Sequence, residues 1–325
     1  MRLFGAEVRR LGGRRMFRYL LLVGLAVLVV LGVVQAIQSS RDIAGAQARA
    51  RREAAAAAAR FAALPPGLVP QCKGGPDACA FHAPTADEIY QGIYQDPRYS
   101  FAEHAPNVVV GIVIAAGLVG FVIGASFIGA EWASGTMASL LTWEPRRLRV
   151  LVAKLGAGIV VLVVLGAVAI ALGLAGSWLI AATRGTTAHT TGHVVALLIS
   201  RGGRGLVLVA LLTGAGTAIS GFTRHTVAAV AATVGYLVIV EIILRHLRPG
   251  WVRWYLTTNA AAALAGKTRL FVPPPPGGFA PFTAPQVFVL HASRGFIYLT
   301  ALLVALVAIW ALTFTRRDID EGGGR

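Results

Sequence analysis

Gly129–Leu155 reads GAEWASGTMASLLTWEPRRLRVLVAKL. A long apolar run ends at Glu131 and Trp132, a polar pair suited to the edge of a lipid bilayer. Gly135 breaks the helix, and Thr136 stands where a hydroxyl accepting a backbone N–H would cap a new one. The apolar residues Met137, Leu140 and Leu141 then fill about a turn and a half, and Pro145 stops it. Arg146, Arg147 and Arg149 suit headgroup contact, and Lys154 opens the next apolar run. The pattern predicts a short helix slung between two membrane spans, with an apolar side that invites a groove on a partner protein.

Working outward, the hinge proves to lie between the second and third of six apolar runs. Apolar runs suited to helices of about 20 residues occupy 19–37, 108–130, 155–183, 205–222, 226–244 and 295–315. Only 226–244 carries a charge, Glu241. The chain of 325 residues is 56% hydrophobic and 14% charged, with a mean hydropathy of +0.69, which excludes a soluble enzyme built on one large core. The expected fold is all-α: a polytopic membrane protein, a bundle of six transmembrane helices with a short cytoplasmic helix and long extracellular loops. The first run starts too late and is too long for a cleaved signal peptide, so it is read as an uncleaved span. The net charge of +16 does not point to nucleic acid, because the basic residues flank the apolar runs instead of forming one stripe.

Sidedness follows from the first segment. Residues 1–18 hold six arginines against a single acid, Glu7, which assigns them to the cytoplasm. Six spans then return the tail 316–325 to the cytoplasm and put the hinge 131–154 there too. The segments 38–107 and 245–294 fall outside. The second of these carries six basic residues and no acid, a charge that a long translocated loop tolerates. Its RPGWVRWYL (Arg248–Leu256) suits an interfacial position, and VPPPPGG (Val272–Gly278) reads as an extended spacer. Loop 38–107 opens with an alanine-rich helix former ended by Pro65 and Pro66. Beyond it, Cys72 and Cys79 would close an eight-residue ring as a disulfide, or stand as two free thiols.

Enzymatic constellations are thin. His189 and His193 have the spacing of two ligands on a helix, but Gly192 interrupts it and no carboxylate or thiol completes a metal site. AGKT (Ala265–Thr268) lacks the first glycine of a phosphate-binding loop, since Ala261 stands in its place. Glu241 is an intramembrane acid, with two readings: a structural pairing with Arg245 one turn later, or a part in substrate handling or proton coupling. The glycines at 117, 120, 124 and 129, and at 214, 216 and 221, suit close helix packing.

The hinge resembles that of type-two ABC exporter permeases (the ABC-2-like membrane family). The residues that carry the resemblance are Gly129, Glu131, Gly135, Thr136, Leu140, Leu141, Pro145, Arg146, Arg147 and Lys154. Trp143 and Glu144 depart from the usual pattern, and the long first outer loop is similar to that of an often actinobacterial subset. The resemblance implies a permease subunit in the bacterial cytoplasmic membrane, paired with a second permease copy, most simply as a homodimer. Two copies of a separate ATPase subunit would hold ATP and magnesium, leaving this chain without a cofactor. The hinge, with Met137 among its contacts, would be the coupling helix that receives that ATPase. The alternatives are a membrane-embedded enzyme acting on lipid or peptide, and a non-transporting membrane partner such as an immunity or sensor protein.

Overall fold

Each apolar run lies in a helix long and apolar enough to cross a membrane. The computed structural model describes residues 2–39, 42–63, 84–89, 98–272 and 286–316. An amphipathic helix α1 (Arg2–Gly13) precedes α2 (Arg15–Gln38). Helices α3 (Ile43–Ala62) and α4 (Ala86–Ile89) follow, with Asp42 capping α3 by accepting from the Gly45 N–H at 2.8 Å. Then come α5 (Phe101–Ala133), the short α6 (Thr136–Trp143), α7 (Arg147–Arg184) and α8 (Gly192–Thr223). Helix α9 (Thr226–Tyr236) widens into π geometry over Leu237–Leu244 and ends in α10 (Arg245–Leu247). The last span is α12 (Ala292–Arg316).

These helices overrun the apolar runs because backbone hydrogen bonding does not stop where hydropathy falls. Helix α7 starts at Arg147, so Lys154 lies about two turns inside it. Helix α8 starts well before the apolar run at 205, carrying Arg201 and Arg204 with it. Along α2, Leu22, Val23 and Val30 are more than half exposed, as a lipid-facing helix requires.

The described residues of 245–294 form regular elements where a loop was expected. A 3₁₀ stretch (Pro249–Trp254) leads to α11 (Leu256–Ala265), whose Asn259, Ala262 and Ala263 are buried. Then β1 (Lys267–Val272) pairs antiparallel with β2 (Gln286–His291), Lys267 opposite His291 and Leu270 opposite Phe288. Gly266, at φ +95°, makes the corner from α11 to β1. AGKT is therefore a helix-to-strand corner, the reverse of a phosphate-binding loop. Much of VPPPPGG, like Cys72 and Cys79, lies outside the described residues.

The chain divides into two compact units: 1–28, 106–174 and 192–325 form the first, 29–105 and 175–191 the second. In the first, α5 and α8 approach closely through small residues. A Cβ on Gly124 would sit 2.5 Å from the Thr213 carbonyl oxygen, and one on Gly216 would strike the Phe121 carbonyl. In the second, the Tyr99 hydroxyl bonds Ser177 Oγ at 2.7 Å, and Thr186 N–H donates to the Tyr99 carbonyl at 2.8 Å. Burial pushes the Tyr99 phenol above its ordinary pKa, partly offset by the Ser177 bond.

Candidate functional site at the hinge

The hinge is built from one glycine and one proline. Gly135 adopts φ +70°, a left-handed conformation that glycine enters without penalty, and separates α5 from α6. It takes the position before the helix, so Thr136 is the first helical residue and not the cap expected of it. The Thr136 hydroxyl instead lies 3.0 Å from Ser134 Oγ. Pro145 stands between α6 and α7, where its missing N–H costs nothing.

The apolar side of α6 turns inward. Met137 and Leu141 are buried with Ile128, Val150, Leu151, Trp310 and Phe314, and Leu140 packs against the same cluster. For Met137 and Leu141 the expectation that they face a partner is corrected, because they fill a core that α5, α7 and α12 supply, while Leu140 stays partly exposed. The outward surface carries Ser139, Thr142, Pro145, Arg146 and above all Trp143, 88% exposed. The Arg147 guanidinium, at the start of α7, donates to the Phe314 carbonyl at 3.0 Å, fixing α7 to the end of α12.

Beneath the hinge lies a buried ionic junction. Lys154 Nζ on α7 sits 2.8 Å from Glu7 Oε2 on α1 and 2.6 Å from Glu131 Oε2 on α5. The first contact is a hydrogen bond, and the second has ion-pair contact without hydrogen-bond alignment. Arg14, where α1 passes into α2, donates to Glu131 Oε1 at 2.9 Å and to the Ser126 carbonyl at 3.1 Å. Arg10 reaches Glu7 Oε1 at 3.4 Å. The side chains of Glu7 and Lys154 are fully buried, so neither charge is stable there without the other. The Phe127 ring takes both cations, with Arg14 4.9 Å and Lys154 5.0 Å from its centroid. Leu11 and Phe17 close the apolar side of the junction against Ile123, Phe127, Leu162 and Val209.

The hinge motif supplied Glu131 and Lys154 to this junction; it did not supply Glu7 and Arg14. Their signal was present in the first segment. Leu3, Glu7, Leu11 and Arg14 recur at three- and four-residue spacing, one face of a helix, and Glu7 is the lone acid among six arginines. Counting charge for topology hides that face.

Glu241 belongs to a different cluster. Its carboxylate accepts from the Leu256 N–H at 2.6 Å, the Thr257 N–H at 3.1 Å and the Thr257 hydroxyl, capping the start of α11. The expected pairing with Arg245 is replaced, since Arg245 turns to the Thr258 hydroxyl. His189 lies in a turn at φ +64°, ahead of α8, so it and His193 share no helix face. Among the described residues no group of three or more metal-ligating side chains gathers.

Among the described residues, six helices long and apolar enough to cross a membrane, with a short helix between two of them, define a multi-pass membrane protein. The family model described as ABC-2 family transporter protein matches residues 13–319, and the chain belongs to that family, as a membrane permease. No curated protein and no solved structure matches the chain significantly.

Proposed function

We propose that this chain is the permease subunit of an ATP-driven ABC exporter in the bacterial plasma membrane. In this reading α6 is its cytoplasmic coupling helix, and the chain works as a homodimer with two ATPase subunits that hold ATP and magnesium. One observation carries the reading: the Glu7–Lys154–Glu131–Arg14 junction ties both helices flanking α6 to α1. A force on α6 cannot move α6 alone. It is delivered to α5, α7 and the start of α2 together, as alternating access driven from outside the bundle requires. The surface offered to the ATPase is the outward one, with Trp143 as the aromatic anchor and Arg146 beside it.

The test is co-purification of the permease with a candidate ABC ATPase co-expressed with it. Trp143→Ala together with Arg146→Glu is expected to reduce ATPase recovery about tenfold, the effect of one lost anchor, while permease yield in the membrane stays level. Full recovery of the ATPase on that variant would refute the docking surface.

A further inference from the structure

Beside the junction, a cleft of about 940 Å³ opens between the α1–α2 corner and the α5–α6 corner. Its lining mixes two chemistries. Arg10, Arg14 and Arg15 enter from the α1–α2 corner, and the apolar side chains Phe17, Ile123 and Leu140 share the rest with serine and threonine side chains of the α5–α6 corner. Among the described residues lining it, Glu131 is the single acid, and that carboxylate is already taken by Arg14 and Lys154. The junction as a whole sets Arg10, Arg14 and Lys154 against Glu7 and Glu131, one positive charge in excess, and Arg15 adds another. The cleft lining is thus net positive.

Its level in the chain says what kind of anion suits that lining. Arg15 and Phe17 lie in the opening turn of the α2 span, and Glu131 lies in the closing turn of the α5 span. A cleft formed by the ends of two spans sits at the membrane–water boundary. A small phosphate would pair with the arginines but leave Phe17, Ile123 and Leu140 uncovered. A molecule with an anionic head and a hydrocarbon body matches both parts of the lining at once. We infer that this cleft is a binding site for one anionic phospholipid, its phosphate held by Arg10 and Arg15 and its upper acyl chain laid against Phe17, Ile123 and Leu140. The bound lipid would brace α1 against α6. Ser139 and Trp143 line the cleft and also belong to the proposed docking surface, but lipid binding is read on the permease without the ATPase, so the two proposals can fail separately.

The experiment uses the full chain purified in a zwitterionic detergent, with phosphatidylglycerol, phosphatidylcholine and inorganic phosphate as probes, read by native mass spectrometry and by thermal unfolding. Phosphatidylglycerol is expected to give a retained one-to-one adduct and to raise the unfolding temperature, where phosphatidylcholine and millimolar phosphate do neither. Arg10→Gln with Arg15→Gln should weaken that adduct about tenfold or more, the worth of two arginines at a headgroup. Ser139→Trp, which fills the cleft without changing charge, should weaken it similarly. Arg9→Gln with Arg18→Gln removes as much charge outside the cleft lining and should leave the adduct unchanged. The inference is overturned if phosphatidylcholine binds as well, if phosphate displaces the lipid, if Ser139→Trp still binds, or if the Arg9 and Arg18 pair matters equally.

Discussion

At the scale of single residues, the decisive feature is a lysine with no access to water. Lys154 is held by two carboxylates from two other helices, and each carboxylate has an arginine on its far side. Taking two ions out of water costs several kcal/mol each, so such a cluster persists only while every member is paired. Lys154→Met leaves two carboxylates sharing less positive charge in a closed space. We expect it to cost about 3–5 kcal/mol, as for other broken buried pairs, seen as a lower midpoint of thermal unfolding in detergent. Adding Glu7→Gln removes the more deeply buried of the two carboxylates and should restore part of that loss. If the double variant is no more stable than Lys154→Met alone, the carboxylate was not the source of the cost. Gly135 is the complementary case, a residue that serves through its backbone conformation, with open space where a side chain would stand.

At the scale of elements, two short helices are placed by opposite means. Helix α6 is held by apolar packing, with Met137 and Leu141 sunk into a core while Trp143 stays outside. Helix α11 is held at its first turn by a charge, since the Glu241 carboxylate accepts its leading N–H groups from within the π-helical stretch of Leu237–Leu244. A π turn widens the helix locally, and such turns recur at functional positions. Glu241→Ala would take the acceptor from those part-buried N–H groups, at a cost of about 1 kcal/mol, as for a lost helix cap. The expected signature is faster amide hydrogen exchange across Leu256–Ala265 with α6 unchanged. Glu241→Gln keeps one acceptor and should lose less. Equal protection of α11 in wild type and Glu241→Ala would show that packing, not the carboxylate, places this helix.

At the scale of the whole molecule, the charge pattern makes one forecast that no contact within the chain decides: on which side of the membrane the hinge lies. In a background where Cys72 and Cys79 are replaced, Ser139→Cys on α6 should react with a membrane-impermeant maleimide only after the cells are opened. Thr187→Cys, in the exposed turn between α7 and α8, should react in intact cells. Labelling of Ser139→Cys in intact cells would reverse the topology and remove α6 from any cytoplasmic ATPase.

The amino-acid order by itself determined the six spans, the break at Gly135, the short helix after it and the stop at Pro145. Each of these depends on local hydropathy or on the backbone preference of one residue, and both are written in consecutive positions. Only the tertiary structure decided which way α6 faces, which acids hold Lys154, and what Glu241 binds. Met137 and Leu141 are apolar whether their cover is a partner or the chain's own α7 and α12. Glu7 and Lys154 stand far apart in sequence, and Glu241 meets residues beyond the neighbouring turn where its helical partner was sought. Pairings of this kind are selected by the cost of leaving a charge or a polar group unmatched in a dry interior, and that cost exists only once the helices have come together.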